Sequence, residues 1–183
     1  MTAVLITGTP GTGKTTASKI AAKKLQSSLV AVNDLVNDEK LYTGHDPEKG
    51  YKVVDLDALS RMIEVKLKDL NDNNLIIEGH LAHTFKNDDL IDLVIVLRAR
   101  PDILRKRLNK RGWADSKVQE NLEAEALDIC TFEAVEIHGA KVNELDTSDI
   151  DVEEVADVIV EIIKYKKHFP PGKLNFLEDL YGM

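Results

Sequence analysis

The sequence predicts an α/β protein, a parallel sheet with helices packed on both of its faces. Three observations predict it. The runs at residues 3–7, 75–77 and 92–97 are apolar at consecutive rather than alternate positions, the pattern of strands buried on both sides. Segments of helical periodicity separate these runs from one end of the chain to the other, the order that builds parallel sheets. The first run leads straight into Gly8-Thr9-Pro10-Gly11-Thr12-Gly13-Lys14-Thr15-Thr16, a glycine-rich phosphate-binding loop that opens a helix.

Residues 15–25 read as the helix behind that loop, with Ala17, Ile20, Ala21 and Leu25 on one side and lysines on the other. Residues 29–32 read as a short strand, and Asn33-Asp34 as the start of a second helix. Gly44, Asp46, Pro47 and Gly50 make residues 42–50 a loop. Asp57 is the expected cap of a helix over residues 58–70, followed by an Asn/Asp turn at 71–74. Leu75-Ile76-Ile77 is a buried strand ending in Glu78-Gly79-His80, and residues 92–97 form a second. Pro101 stands at the first turn of a helix that ends at Gly112. A further helix is expected over 116–137, a last strand over 142–145 and a closing helix over 152–167. Pro170-Pro171-Gly172 punctuates the remaining tail.

The 183 residues suit one domain, taken as residues 1–168 with a tail at 169–183. No window has the ~18 uninterrupted apolar residues of a membrane span, and no basic-then-apolar leader is evident. The single cysteine, Cys130, excludes an internal disulfide or a cysteine-built zinc site and reads as a small buried hydrophobe. A cytoplasmic protein without membrane contact is the expectation. The net charge of −8 speaks against strong direct binding of nucleic acid. Against that background, Arg98, Arg100, Arg105, Lys106, Arg107, Lys110 and Arg111 crowd a segment whose acid is Asp102. They read either as a solvated helix face or, better, as a grip on phosphates.

The candidate chemistry starts at the loop. Gly11 and Gly13 let successive N–H groups turn toward a phosphate, Lys14 places a charge on the β- and γ-phosphates, and Thr15 offers an oxygen to Mg²⁺. ATP and Mg²⁺ are the expected cofactors. Glu78 follows a buried strand, where such proteins place the acid that holds Mg²⁺ or its water. His80 lies two residues on. An acceptor that is itself a phosphate monoester needs no base, whereas water must be oriented and relieved of a proton, so an acid and a histidine suit hydrolysis better than transfer. A zinc site from Glu78, His80 and His83 is a weak alternative.

Further segments follow in order: Val32-Asn33-Asp34-Leu35, Val53-Val54-Asp55-Leu56-Asp57, Ile77-Glu78-Gly79-His80, Arg111-Gly112-Trp113 and Glu120-Asn121-Leu122-Glu123-Ala124-Glu125. With the phosphate loop, this series resembles the adenylate kinase isoenzyme 6 group, including its archaeal members, over most of the chain. The resemblance implies a three-layer P-loop fold of nucleoside-monophosphate-kinase type and an adenylate-kinase-like enzyme with ATPase activity. It also implies a part in late maturation of the small ribosomal subunit and its rRNA, through transient contact with a platform ribosomal protein. Gly11, Gly13, Lys14, Thr15 and Thr16 would meet ATP and Mg²⁺, and Arg111 would meet ATP from a short lid at 110–120. The loop ending at Asp149 would border the adenine, and residues 31–54 would hold the monophosphate. Lys14, Glu78, His80 and Arg111 would be the catalytic set, with Thr15 and Glu78 beside the metal. The sequence departs from that pattern in lacking any arginine between residues 28 and 60, with Asn37 where one is expected and Lys40, Lys52 or Arg61 as substitutes. Two other readings stay open: an assembly factor that only hydrolyses ATP, and a kinase of a small hydroxyl metabolite.

Overall fold

Strand β1 (Ala3–Thr7) lies at the centre of a parallel five-stranded sheet, between β5 (Leu75–Glu78) and β6 (Leu93–Arg98). The order is completed by β2 (Ser28–Ala31) beyond β5 and β7 (Val142–Asp146) beyond β6. The computed structural model describes residues 2–47, 51–69, 74–165 and 167–181.

The consecutive apolar residues of β1 serve two cores. Ala3 and Leu5 face one side with Leu75, Ile77, Val94 and Val96, under α2 (Val32–Asp38), α3 (Leu56–Lys68) and α6 (Ile129–His138). Val4 and Ile6 face the other with Ile76, Ile95 and Leu97, under α1 (Lys14–Leu25) and α7 (Val152–Tyr165). At ~25 cal/mol per Å² of apolar surface removed from water, residues buried this way on both faces supply the bulk of the driving force for the fold. A third, smaller cluster joins α4 (Pro101–Lys110) to α5 (Asp115–Ala126) through Leu104, Leu108, Val118 and Leu122, with Trp113 and Leu180 against it.

Several expectations are corrected. The second strand stops at Ala31, and Val32 already begins α2, its buried side chain packed against Gly79 and the core. The expected loop at 42–50 contains β3 (Tyr42–His45), paired antiparallel with β4 (Lys52–Val54); Gly50 lies outside the described residues. Asp55, not Asp57, caps α3, its carboxylate accepting from the Ala58 N–H at 2.9 Å. The turn expected at 71–74 also falls outside the described residues, except Asn74, whose Oδ1 accepts from Thr2 N–H.

The long helix expected over 116–137 is two helices, broken at Asp128, which has φ 57°. The break has a cause. Asp128 turns to Arg98, whose side chain is 1% exposed and also donates to Glu125 and Glu144. The tail packs there too. The Phe176 ring lies 5.2 Å from the Arg98 guanidinium, Gly172 N–H donates to Glu144 Oε2 at 3.0 Å, and α8 (Leu177–Tyr181) follows.

Candidate active site

The phosphate loop bridges the end of β1 and the start of α1, at the carboxyl ends of the strands where open α/β sheets take ligands. Its backbone explains two glycines. Gly8 has φ 132°, and a Cβ there would stand 2.2 Å from the Leu97 carbonyl oxygen. Gly13 has φ 98° in open space, so conformation alone demands glycine.

Lys14 is buried, and its Nζ donates to the carbonyls of Gly8 at 2.7 Å and Thr9 at 2.9 Å. Burial pushes its pKa down to about 8, against the pull of Glu78 and Glu125. The ammonium keeps one donor beyond the two it spends on the loop. Thr15 Oγ1 donates to Glu78 Oε2 at 3.3 Å, so the hydroxyl and carboxylate named as metal partners are brought together. Glu78 is buried, and that burial raises its carboxyl pKa while Thr15 and Lys14 restrain the rise.

His80 stands in the turn after β5 with its ring half-buried. Burial, with Lys14, His83 and Lys117 nearby, pushes its pKa down to about 4, so the imidazole is neutral at physiological pH. A neutral ring keeps a lone pair that can orient a water molecule. His83 is held elsewhere: Nδ1 is 2.6 Å from Thr7 Oγ1 and Nε2 is 2.8 Å from Glu133 Oε2. Both ring nitrogens are engaged, so His83 does not join Glu78 and His80 around a zinc ion.

Two cavities open on the loop. The smaller, about 520 Å³, lies between the loop and the carboxyl end of β7, with Arg107, Lys110, Thr147 and Ile150 on its walls. The larger, about 940 Å³, runs from Lys14, Thr15 and Glu78 past His80 to α2 and the β3–β4 hairpin. Gly11, Gly13, Thr16 and Arg111 line both. Arg111, which ends α4, therefore stands where the two cavities meet.

Asp149 does not line the smaller cavity. It forms a two-pronged ion pair with Arg100, at 2.5 and 2.8 Å, on the outside of the loop that carries Thr147. The basic segment divides accordingly. Arg98 is structural, Arg100 and Lys106 answer Asp149 and Asp102, and Arg105 reaches Gln119. Arg107, Lys110 and Arg111 are left at the cavity, Arg107 tied to the Thr147 carbonyl at 2.8 Å. These three stand where the phosphate-grip reading needs them, whereas Arg98 is taken out of it by acids that come from distant positions. Lys117, inside the expected lid but not singled out by any motif, has its Nζ 4.7 Å from the Tyr51 ring and 4.1 Å from that of Trp113 at the mouth of the larger cavity.

Thr15 and Glu78 place two hard oxygens side by side, and among the described residues no cluster of three or more His, Cys, Asp or Glu side chains could hold a metal alone. That donor set fits Mg²⁺, which takes one or two protein oxygens and completes its shell with water and substrate phosphates. No described helix is long and apolar enough to cross a membrane.

Comparison with known proteins agrees with this geometry. The model of an AAA domain family matches residues 4–128. A protein named "putative adenylate kinase" from Methanothermobacter thermautotrophicus is 40% identical over 179 residues, covering 98% of this chain and 99% of its own. Its namesake from Methanocaldococcus jannaschii is 40% identical over 165 residues, covering 90% of this chain and 87% of its own. Among solved structures, shikimate kinase from Bacteroides thetaiotaomicron superposes with a TM-score of 0.63 at 18% identity, over 89% of this chain and 98% of that one. Shikimate kinase from Acinetobacter baumannii, in complex with shikimate, gives 0.64 at 15% identity, over 91% and 95%. These two likenesses fix the kinase-type P-loop fold and nothing finer. With its phosphate loop, parallel sheet and full-length kinship to those archaeal proteins, the chain belongs to the AAA-domain P-loop family and, within it, to the family of archaeal adenylate-kinase-like proteins.

Proposed function

We propose that this protein transfers the γ-phosphoryl group of ATP to a nucleoside monophosphate, and hydrolyses ATP when no acceptor is present. One observation carries the reading: two cavities meet at one phosphate loop and share Arg111, a donor chamber on one side and an acceptor chamber on the other. In transfer, an anionic oxygen of the acceptor phosphate attacks Pγ and the bond from Pγ to the β-bridging oxygen breaks, releasing ADP. Lys14 exchanges the carbonyls of Gly8 and Thr9 for the β- and γ-phosphates, and Arg111 neutralises charge from the lid side. Thr16 and the N–H groups of Gly11 and Gly13 hold the triphosphate, while Thr147 and the loop fixed by Asp149 border the base. Thr15 and Glu78 would hold Mg²⁺, which would supply charge neutralisation to the triphosphate.

Hydrolysis is the second reading, favoured by the neutral His80 beside Glu78. His80 accepts a hydrogen bond from the attacking water, whose own lone pair then faces Pγ. The water oxygen bonds to Pγ as the bond to the β-bridging oxygen breaks, releasing ADP, and the proton leaves with the freed phosphate. The cellular setting we propose is late maturation of the small ribosomal subunit. Its supports are the resemblance of the motif series and a net charge of −8, complementary to a basic ribosomal protein. The test is to measure ADP formation and phosphate release from ATP with and without each nucleoside monophosphate. Phosphate release that no monophosphate diverts into a diphosphate product rejects transfer and leaves hydrolysis.

A further inference from the structure

The wall of the larger cavity formed by α2 and the β3–β4 hairpin has so far been given no residue that holds an anion. α2 offers none: its polar side chains are Asn33, Asp34, Asn37 and Asp38. Lys52, on β4, lines the same wall. Its Nζ donates to Asn37 Oδ1 and lies 4.5 Å above the centre of the Tyr42 ring.

Those partners are uncharged. Lys24, Lys106, Lys141 and Lys167 pair with carboxylates in this acidic protein. Among the described residues Lys52 instead meets an amide and an aromatic face, contacts that orient an ammonium without cancelling its charge. Lys40 and Arg61, the other described cations of this stretch, do not line the cavity. The cavity therefore has an oriented positive charge on its α2–hairpin wall, while Lys14 serves the phosphate loop.

We propose that Lys52, steered by Asn37 and Tyr42, is the anion grip for the acceptor and takes the dianionic phosphate of a phosphate monoester. The proposal rests on the acceptor reading above and gives it a specificity-determining residue. An ammonium has three donors; Asn37 occupies one, and two remain for phosphate oxygens. A monoester phosphate near neutral pH carries between about one and a half and two negative charges, so it gains more from this site than a carboxylate or an uncharged nucleoside does.

Binding of AMP, adenosine and shikimate is measured by calorimetry on the wild type, Lys52→Ala, Lys52→Arg and the double variant Asn37→Arg/Lys52→Ala. Steady-state kinetics with AMP accompany it. A charge-assisted hydrogen bond corresponds to roughly a ten- to a hundredfold change in affinity, so Lys52→Ala is expected to weaken AMP by that factor and to leave adenosine alone. KM for AMP rises more than kcat falls. Lys52→Arg retains AMP, and Asn37→Arg restores it by returning the cation to α2.

Unchanged AMP affinity in Lys52→Ala overturns the proposal, as does equal weakening of AMP and adenosine, the mark of a merely structural tether. Loss of shikimate with AMP unaffected overturns it in favour of a carboxylate site. The two readings separate cleanly. Lys52-dependent AMP binding without phosphoryl transfer leaves the grip and removes the kinase, whereas rapid transfer indifferent to Lys52 leaves the kinase and removes the grip.

Discussion

Arg98 Nε donates to Glu125 Oε1 at 2.8 Å with both side chains 1% exposed, and the same carboxylate oxygen accepts from the Ala99 N–H at 2.9 Å. Removing the acid strands a buried guanidinium and a backbone donor together. Breaking a buried pair in this way costs about 3–5 kcal/mol. Glu125→Ala is therefore expected to lower the unfolding free energy by about that much, read from the urea midpoint at constant slope. A loss below about 1 kcal/mol would show that Asp128 and Glu144 suffice for Arg98.

Lys14 makes a different bargain. Its pKa is about 8 in the folded protein, against 10.5 for the unreacted side chain. The folded state thus gives up this proton first, and between those values the unfolded state binds more protons. Lys14 therefore opposes folding while charged, and the penalty fades as pH rises through the window from about 8 to 10.5. Lys14→Met should lose catalysis by on the order of a hundredfold or more, yet fold at least as stably as the wild type at pH 7. Thermal melts across pH 7–10 read the second half: only the wild type should gain stability as the buried ammonium loses its proton.

For His80, position and protonation state separate the two reactions. His80→Ala should depress ATP hydrolysis much more than transfer to AMP, whose attacking oxygen is already anionic. Because its pKa lies near 4, the acid limb that this ring places on hydrolysis should lie near pH 4 and not near 6.5. Equal losses in both reactions would reassign His80 to support of the turn after β5.

Arg111 lines both cavities and adjoins Gly112, with φ 72°, and Trp113. Arg111→Ala is expected to weaken turnover with either substrate varied, unlike a residue of one chamber. Trp113 is the chain's single tryptophan, so its emission reports the lid directly. Addition of ATP with Mg²⁺ should change that emission as the Lys117 ammonium, 4.1 Å from the ring, is displaced. Silent emission with unaltered kinetics would place the lid outside the reaction.

Much of this was legible because it is local. Consecutive apolar residues in β1, β5 and β6 announce a parallel sheet, and the loop from Gly8 to Thr16 carries its own spacing. Glu78 and His80 are legible for the same reason, each standing at the end of a recognisable strand. What the sequence conceals is pairing at a distance. Arg98 looks like part of a basic run until Glu125, Asp128 and Glu144 converge on it. Asp128 looks like a mid-helix residue until the need to reach Arg98 bends the chain there. The β3–β4 hairpin hides behind its turn-forming residues, since Gly44 sits at a register shift in a short exposed ribbon with no alternating apolar signal. Asp149 stands in the loop after β7, but its charge is spent on Arg100.

The seating of the tail has a consequence for the nucleotide. Glu144 touches Gly172 with one oxygen and Arg98 with the other, and the Arg98 carbonyl accepts at 2.8 Å from Thr147, whose hydroxyl also lies 3.0 Å from the Thr12 carbonyl in the phosphate loop. Phe176 and the smaller cavity are thus ends of one short chain of contacts, a route by which binding at one end would be coupled to order at the other. By that route, loosening the tail is expected to lower affinity for ATP, and ATP in turn to slow proteolysis and amide exchange in the tail, which limited proteolysis with and without nucleotide reads. The molecule's most peripheral segment would thereby report the occupancy of its centre.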